Sequence, residues 1–343
     1  MKIGTELDAY PSDEAVRMGV LAEKIGFDSV WANDHLIDGP SIDPWTTLAA
    51  IAVQTNRVFL CSTVTDTQRV HPAKTAQIVL TLNRIAKGRA GLGIGAGEAM
   101  NIVPFGIPWD SPAVRRQKLA EAVQIIKLLW GSSRESSVNF LGKQFSLKNA
   151  WLDQPTDQIP PLYVGSLGAK KTLELVGTFG DGWDSFLNTP ESFKERFGIV
   201  QDSARKAGRD ASKLEPIAEI LTSVVWDEAG YRAALDKTKL VLLVEGMMLK
   251  YLGVKLPPGL ERTYQNMLMT NEDGELLMKY RDSVPDEIAK KFLAGGSPEK
   301  ILERIQEFRD AGVRHLLIQF NEPGEASLRK FADKVLTRVD RSE

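Results

Sequence analysis

Short apolar segments alternate with amphipathic helical patterns along this chain, and this alternation constrains its fold more than any other feature. Four strand-like segments open the chain, at residues 2–8, 27–32, 57–64 and 90–94. Helical patterns lie between them, at residues 12–25, 44–55 and 72–85. Strands that alternate with helices in this way are typical of parallel βαβ units.

The alternation continues to the end of the chain and gives a count of eight strands. The further strand-like segments are 161–165, 181–186, 214–226 and 313–320. Helical patterns cover 113–130, 169–180, 190–208, 227–252 and 325–339, with a predicted β-hairpin over 138–147 and a predicted helical insertion over 257–294. This count predicts a closed (β/α)8 TIM barrel with insertions, and an open doubly wound sheet is the alternative. We find no linker or repeat, so we expect one domain over residues 1–343.

Charge and cysteine content exclude several classes of protein. The formal net charge of −2 over 343 residues gives no overall basic field for nucleic acid or an anionic membrane. The single cysteine excludes a disulfide within the chain, and the three histidines lack the spacing of metal ligands, so no metal site is predicted. No signal segment is evident, and no apolar stretch reaches the roughly 18 residues of a membrane span. We therefore expect a cytoplasmic protein that acts on a small molecule.

A glycine-rich stretch follows the fourth predicted strand. Gly91, Gly93, Gly95 and Gly97 alternate along it, which removes side chains where other atoms approach the backbone closely. The approaching group is either a ligand or neighbouring backbone at a bulge. The spacing also matches a loose Rossmann fingerprint, but prolines follow where that fingerprint requires a helix, so the context does not favour a dinucleotide site.

Candidate site residues lie at the predicted carboxyl ends of the strands, where TIM barrels place their active sites. They are Glu6, Asp8, Asp34, His35, Thr63, Val64, Thr65, Asp66, Glu98, Asn101, Ser166, Leu167, Gly168 and Asp184. His35 is a candidate general acid–base, because an unperturbed pKa of about 6.5 suits proton transfer near neutrality. The alternative is a histidine bonded to Asp34 or to backbone. Glu98 is a second candidate if burial raises its pKa, and otherwise forms a salt bridge or is solvated.

The segment 165–171 combines a strand end, a turn of small residues and the start of a helix. Backbone N–H groups at such a helix start favour anions, and Lys170 and Lys171 add positive charge. The alternative is an ordinary helix entry with both lysines in solvent.

Four segments resemble the bacterial luciferase-like superfamily, and specifically its branch that uses the deazaflavin coenzyme F420. They are 22–35, 88–101, 161–183 and 297–320, and the run 95–101 is the most specific. The branch includes methylenetetrahydromethanopterin reductase and the F420-dependent alcohol and glucose-6-phosphate dehydrogenases. The resemblance implies a barrel with insertions, coenzyme F420 as cofactor with FMN as the alternative, and a homodimer.

The resemblance also implies roles for individual residues. The cofactor-binding residues would be Asp34, His35, Thr63, Val64, Gly97, Glu98, Asn101, Ser166, Leu167 and Gly168. His35 and Glu98 would be catalytic, with Glu98 as the acid–base beside the carbon that exchanges the hydride. A non-prolyl cis peptide between Thr63 and Val64 would back the ring. Ser166 to Gly168 would hold the phosphate through backbone N–H groups.

The implied function is hydride transfer between the deazaflavin and a carbon substrate. Our first expectation for the substrate is a methylenetetrahydropterin, because residues 1–6 resemble the start of the reductase, although the reductase has Asp where this chain has Glu98. An alcohol/ketone pair is the second expectation, although the dehydrogenases have Trp where this chain has Gly39. An FMN-dependent monooxygenase and a non-catalytic binding barrel both stay open as hypotheses. The sequence determines neither the substrate nor the physiological direction.

Overall fold

The computed structural model describes residues 1–7, 12–37, 42–154, 158–260 and 267–341. Its strands are β1 (Lys2–Glu6), β2 (Ser29–Ala32), β3 (Phe59–Ser62), β4 (Thr65–Asp66), β5 (Leu92–Gly95), β6 (Val138–Leu141), β7 (Ser146–Ala150), β8 (Leu162–Gly165), β9 (Gly182–Ser185), β10 (Glu215–Val224), β11 (Leu293–Gly296) and β12 (His315–Phe320). Its helices are α1 (Ser12–Ile25), α2 (Pro44–Ala52), α3 (Pro72–Ile85), α4 (Pro112–Trp130), α5 (Lys170–Phe179), α6 (Pro190–Lys206), α7 (Glu228–Val244), α8 (Met247–Tyr251), α9 (Asn271–Tyr280), α10 (Asp286–Ala289), α11 (Pro298–Asp310) and α12 (Glu325–Lys334).

The main sheet is parallel and closes on itself. Its strands follow the order β3-β2-β1-β12-β10-β9-β8-β5-β4, with β11 added beside β10. A parallel bridge between Leu60 and Ala90 joins β3 to the residues that lead into β5. The Leu60 N–H donates to Arg89 O at 2.8 Å, and Gly91 N–H donates to Leu60 O at 2.9 Å. The predicted TIM barrel is therefore confirmed, and the open sheet is wrong.

Proline after a capping residue explains why several helix starts could be predicted closely. The pairs are Asp43-Pro44, His71-Pro72, Ser111-Pro112 and Thr189-Pro190, and in each the first side chain accepts a backbone N–H of the first turn. Proline fits the first helical position because its missing N–H would have no helical partner there.

The lower part of the barrel interior is packed with side chains from five strands. Trp31, Cys61, Tyr163, Ile217 and Leu317 form a buried cluster there. Such layers fill a TIM barrel, so the interior is a core and the open end carries the site.

A polar cluster formed by His315, Ser29 and Glu215 lies in that interior, near the start of the strands. The His315 ring contacts Ser29 Oγ at 2.7 Å and Glu215 Oε1 at 3.2 Å. Burial alone would raise the pKa of Glu215, but His315 and Lys2 hold it well below its usual range. His315 is therefore satisfied in the core, far from the strand ends that carry the candidate site.

The segment after β10 departs most from the sequence prediction. The predicted single helix 227–252 is two helices, because α7 ends before Gly246 and α8 begins after it. The predicted insertion 257–294 contains α9 and α10, but its last two residues already belong to β11, which pairs with β10 at Leu221↔Leu293. Four residues with two glycines give too short a pattern to indicate a strand. None of the described helices is long and apolar enough to cross a lipid bilayer.

Candidate active site

A cavity of about 730 Å³ lies at the carboxyl ends of the barrel strands. One side is formed by strand ends and the loops that follow them, and the other side by α7 and α9. Of the residues predicted to form the site, thirteen line this cavity: Glu6, Asp34, His35, Thr63, Val64, Thr65, Asp66, Gly97, Glu98, Asn101, Ser166, Leu167 and Asp184. Gly168 lies between the lining residues Leu167 and Ala169, and Asp8 and Gly39 lie outside the described residues.

His35 and Glu98 meet at this cavity although they come from different strands. His35 Nε2 lies 3.1 Å from Glu98 Oε2, with the side chains 18% and 28% exposed. Asn101 Nδ2 donates to the same Glu98 oxygen at 3.2 Å, and Asn101 Oδ1 accepts the Leu36 N–H at 2.7 Å. Asn101 therefore ties the loop that carries His35 to the loop that carries Glu98. An imidazole and a carboxylate in this contact can share a proton and pass it on.

Asp34 is held by Thr65 and Arg69, whereas Glu98 is the carboxylate that contacts His35. Thr65 Oγ1 donates to Asp34 Oδ2 at 2.6 Å, and the Arg69 guanidinium lies 3.1 Å from the same oxygen. Arg69 also binds Asp66. Burial raises the pKa of Asp34 against the lowering effect of Arg69. Sequence reasoning missed Arg69, although an Asp and an Arg three residues apart are a recognisable pair.

The alternating glycines make room for a bulge between β3 and β4. The Thr63–Val64 peptide bond is cis, as the resemblance implied. A Cβ on Gly95 would lie 2.9 Å from Val64 Cγ2, and one on Gly165 would lie 2.8 Å from Val64 Cγ1. A Cβ on Gly93 would collide with the carbonyl oxygen of Ser62. Of the two explanations for these glycines, the structure supports close approach by the chain's own bulge.

Three carboxyl groups are buried beneath that bulge. They belong to Glu6, Asp184 and Glu219, which are 4%, 2% and 9% exposed. Thr63 Oγ1 lies 2.8 Å from Asp184 Oδ2 and 2.9 Å from Glu219 Oε1. Because a hydroxyl has one proton, Thr63 can donate fully to one of these two carboxyl groups, and a protonated carboxyl group can complete the other contact.

The direction of the pKa shifts of these acids agrees with a protonated carboxyl group in this cluster. Burial raises the pKa of Asp184, and burial together with the charges of Glu6 and Asp184 raises that of Glu219 well above its usual range. Sequence reasoning missed Glu219, although one acid inside the apolar run 217–221 was a usable signal.

The predicted phosphate loop uses part of its own backbone internally. Ser166 N–H donates to Asp184 O at 3.2 Å, and Gly168 N–H donates to Ser166 Oγ at 3.1 Å. The first turn of α5, which follows the loop, has no side-chain cap. Arg196 lies against the loop and donates to Leu167 O at 3.3 Å. Its place on α6, far along the chain, gave no sequence signal.

The helix side of the cavity is largely apolar, and the charged residues among its described lining are Lys237 and Glu245. Its apolar residues include Leu240, Val241, Val244, Met247, Met269, Leu277 and Met278. Glu245 lies among them, directly after α7, and is 4% exposed. Burial, and then the charge of Glu98, raises the pKa of Glu245 well above its usual range. Sequence reasoning missed Glu245 because a helical pattern does not reveal which face meets a cavity.

Comparison with known proteins was made for both sequence and structure. The model of the luciferase-like monooxygenase family matches residues 1–315. One relative, an F420-dependent glucose-6-phosphate dehydrogenase of Microbacterium testaceum (strain StLB037), is 31% identical over 345 aligned residues, which cover 97% of this chain and 95% of the relative.

Two solved structures resemble the whole chain. An F420-dependent secondary alcohol dehydrogenase, in complex with an F420–acetone adduct, is 27% identical with a TM-score of 0.83, and the match covers 99% of each chain. A coenzyme F420-dependent tetrahydromethanopterin reductase from Methanopyrus kandleri is 21% identical with a TM-score of 0.80, again over 99% of each chain. The second match shows a common fold.

Proposed function

The chain belongs to the luciferase-like monooxygenase family, and we propose that this member transfers a hydride between coenzyme F420 and the carbon of an alcohol or ketone. It is an F420-dependent oxidoreductase, in agreement with its named relatives and with the cofactor expected from the sequence. The observation that carries the proposed reaction is the 3.1 Å contact between His35 and Glu98 at the cavity.

The residues around the cavity fit a deazaflavin nucleotide. Val64 offers an apolar surface at the strand ends, beside Gly95 and Gly165. The uncapped first turn of α5 offers backbone N–H groups to a phosphate. The cavity volume of about 730 Å³ lies within the usual range for cofactor and ligand sites. When bound, coenzyme F420 supplies the hydride chemistry, and the chain supplies position and protons.

His35 and Glu98 are placed to hold and move the proton of the substrate. When an alcohol carbon loses a hydride, its hydroxyl group has to lose a proton, and the His35–Glu98 pair accepts it. In the reverse direction the same pair donates a proton to the ketone oxygen. Asn101 keeps the Glu98 carboxylate in place through its bond of 3.2 Å, so the proton partner is oriented before substrate binds.

Two observations favour the alcohol/ketone reaction over our first expectation. The F420-dependent alcohol dehydrogenase shares 27% identity with this chain, whereas the likeness to the reductase, at 21%, supports the fold alone. The apolar helix side of the cavity also suits a small carbonyl compound. Reduction of a methylenetetrahydropterin stays a prediction that substrate assays can test.

Cofactor titration of the purified protein tests the proposal directly. We expect F420 to quench the fluorescence of the protein and to bind with micromolar or tighter affinity. Its affinity should be at least about tenfold tighter than that of FMN, which corresponds to about 1.4 kcal/mol. Loss of F420 absorbance with cyclohexanol or glucose 6-phosphate, compared with the rise in F420 absorbance when a methylenetetrahydropterin oxidises the reduced cofactor, then identifies the reaction. Preference for FMN would overturn the proposal, and turnover with the pterin alone would restore our first expectation. Light scattering tests the homodimer, which also stays a prediction.

A further inference from the structure

Glu245 is a buried acid with one carboxyl oxygen that the described part of the protein leaves without a hydrogen bond. Its side chain lines the cavity, and its Oε2 atom has no hydrogen-bond partner within the described part of the chain. Buried polar atoms nearly always have a partner, so an unpartnered atom on a side chain that lines a cavity points to a partner supplied by a ligand.

The protonation state of Glu245 determines which hydrogen-bonding groups that partner must carry. Burial, together with the charge of the nearby Glu98, raises the pKa of Glu245 well above its usual range and so favours the neutral form of its carboxyl group in this apolar wall. A neutral carboxylic acid both donates and accepts a hydrogen bond. Amide, hydroxyl and ketone groups match it, whereas a carboxylate or phosphate would place a charge in an apolar wall.

The charges around the cavity disfavour an anionic substrate. Seven acids line it, namely Glu6, Asp34, Asp66, Glu98, Asp184, Glu219 and Glu245, and although burial favours the neutral form of the last three, none of the seven attracts an anion. Apart from His35, positive charge among the described lining residues comes from Arg69 and Lys237. Arg69 is bound to two aspartates. Lys237 donates to Asn321 O at 2.8 Å and lies 3.5 Å from Glu322, so both cations are already engaged.

We propose that Glu245 is a substrate-binding residue, and that the cavity takes an uncharged, largely apolar secondary alcohol or ketone with a neutral hydrogen-bonding group opposite Glu245. This inference rests on the proposed function and specifies its substrate class. It separates this chain from relatives named for a phosphorylated sugar.

The reaction balances without any further reactant. The carbinol carbon transfers its hydrogen with the bonding electron pair to coenzyme F420, the hydroxyl proton passes to the His35–Glu98 pair, and a ketone is left. Two electrons leave the substrate and two reach the cofactor. Glu245 keeps its proton throughout, because it binds a group that does not react.

Two probes of the same shape test the substrate class. We use 4-hydroxycyclohexanecarboxamide, which is neutral, and 4-hydroxycyclohexanecarboxylate, which is anionic at pH 7. We expect kcat/KM to favour the amide by at least about 100-fold, since the carboxylate leaves a charge beside the apolar wall. Calorimetric binding of both probes to the F420-loaded protein provides a second readout that does not depend on turnover.

Variants at position 245 separate substrate binding from a structural role. Glu245→Leu is expected to raise KM for the amide by about tenfold with kcat nearly unchanged, as loss of one hydrogen bond predicts. Glu245→Gln keeps a donor and an acceptor and should restore KM. Glu245→Lys should shift the preference toward the carboxylate. Glu228→Gln, an exposed change at the start of α7, is the matched control and should alter neither probe.

Each outcome decides for or against the inference. Equal use or equal binding of the two probes by the natural protein would overturn it, as would an unchanged preference in Glu245→Leu. These results would leave the proposed function intact if cyclohexanol is still oxidised with F420. Failure to bind F420 would instead overturn the proposed function, and probe binding to the protein without cofactor would still test Glu245.

Discussion

The two sides of the cavity differ in how their polar side chains are hydrogen-bonded. On the strand side, Asp34 is bonded to Arg69 and Thr65, and Glu98 to His35 and Asn101. On the helix side, the apolar wall contains one acid, Glu245, whose Oε2 atom has no partner among the described residues. The groups placed for proton transfer on the strand side are thus held by partners within the chain, although Asp184 Oδ1 beneath them also has no partner among the described residues, whereas Glu245 stands alone among apolar side chains.

This difference separates the residues that transfer the proton from the residues that select the substrate. Parallel strands fix the positions of the residues that follow them to within the sheet spacing, which suits proton transfer between His35 and Glu98. The helix side follows a longer connection after β10, where the chain can change without disturbing the barrel. We therefore expect changes on the strand side to act on turnover, and changes on the helix side to act on substrate choice.

Replacement of the proton partner should have the largest effect. Glu98→Gln keeps the shape and the contact with Asn101 but cannot take up a proton. We expect kcat to fall by about 10²–10⁴-fold, the usual contribution of an acid–base group, with little change in F420 affinity. Stopped-flow reduction of F420 by cyclohexanol measures this, with the exposed Glu303→Gln as control. Unchanged turnover would remove Glu98 from the mechanism.

Removal of the cation on the strand side should mainly lower stability. Arg69→Leu leaves Asp34 and Asp66 buried without a counter-charge, and we expect the free energy of unfolding to fall by about 3 kcal/mol. Arg205→Leu removes an exposed arginine that also pairs with an aspartate and should cost less than about 1 kcal/mol. Urea unfolding compares the two. Equal losses would contradict the internally partnered strand side described above.

The buried acid on the helix side should make stability depend on pH. Its folded pKa is raised above the unfolded value of about 4.3, so its neutral form supports folding at low pH and this support is lost as pH rises toward the folded pKa. Glu245→Gln removes this dependence and should gain on the natural protein by up to about 1.4 kcal/mol per pH unit above pH ~5. Urea unfolding at several pH values tests this, and parallel curves would count against a neutral Glu245.

A change in the apolar wall should have the smallest effect. Met278 on α9 lines the cavity and is 59% exposed. Met278→Ala should raise KM for 2-octanol by about threefold, roughly the worth of one buried methylene, and leave 2-propanol nearly unaffected. A fall in kcat for both alcohols would instead place Met278 among residues that position the chemistry, and would blur the contrast between the two sides.

The sequence predicted the strand side far better than the helix side. Residues such as His35, Glu98 and Asn101 directly follow strands, so strand periodicity together with the barrel rule placed them at one rim. Arg69 and Arg196 were less accessible, because the contact of Arg69 with Asp34 and that of Arg196 with Leu167 O exist only in the closed barrel. The predicted helix 227–252 gave no sign of its break at Gly246, which brings Glu245 to the cavity. Glu219 carried a local signal, as one acid inside the apolar run 217–221, but the alternation of strands and helices gave it no role.

Val64 and the glycines around it have a consequence for how relatives of this chain can diverge. The valine side chain occupies space that Gly95 on β5 and Gly165 on β8 leave open, and a Cβ on either glycine would crowd it at under 3 Å. Three positions far apart in the chain therefore divide one fixed volume. We expect them to covary, so that a larger residue at 95 or 165 is tolerated only with a smaller one at 64. Redesign of the cofactor face would have to change these positions together.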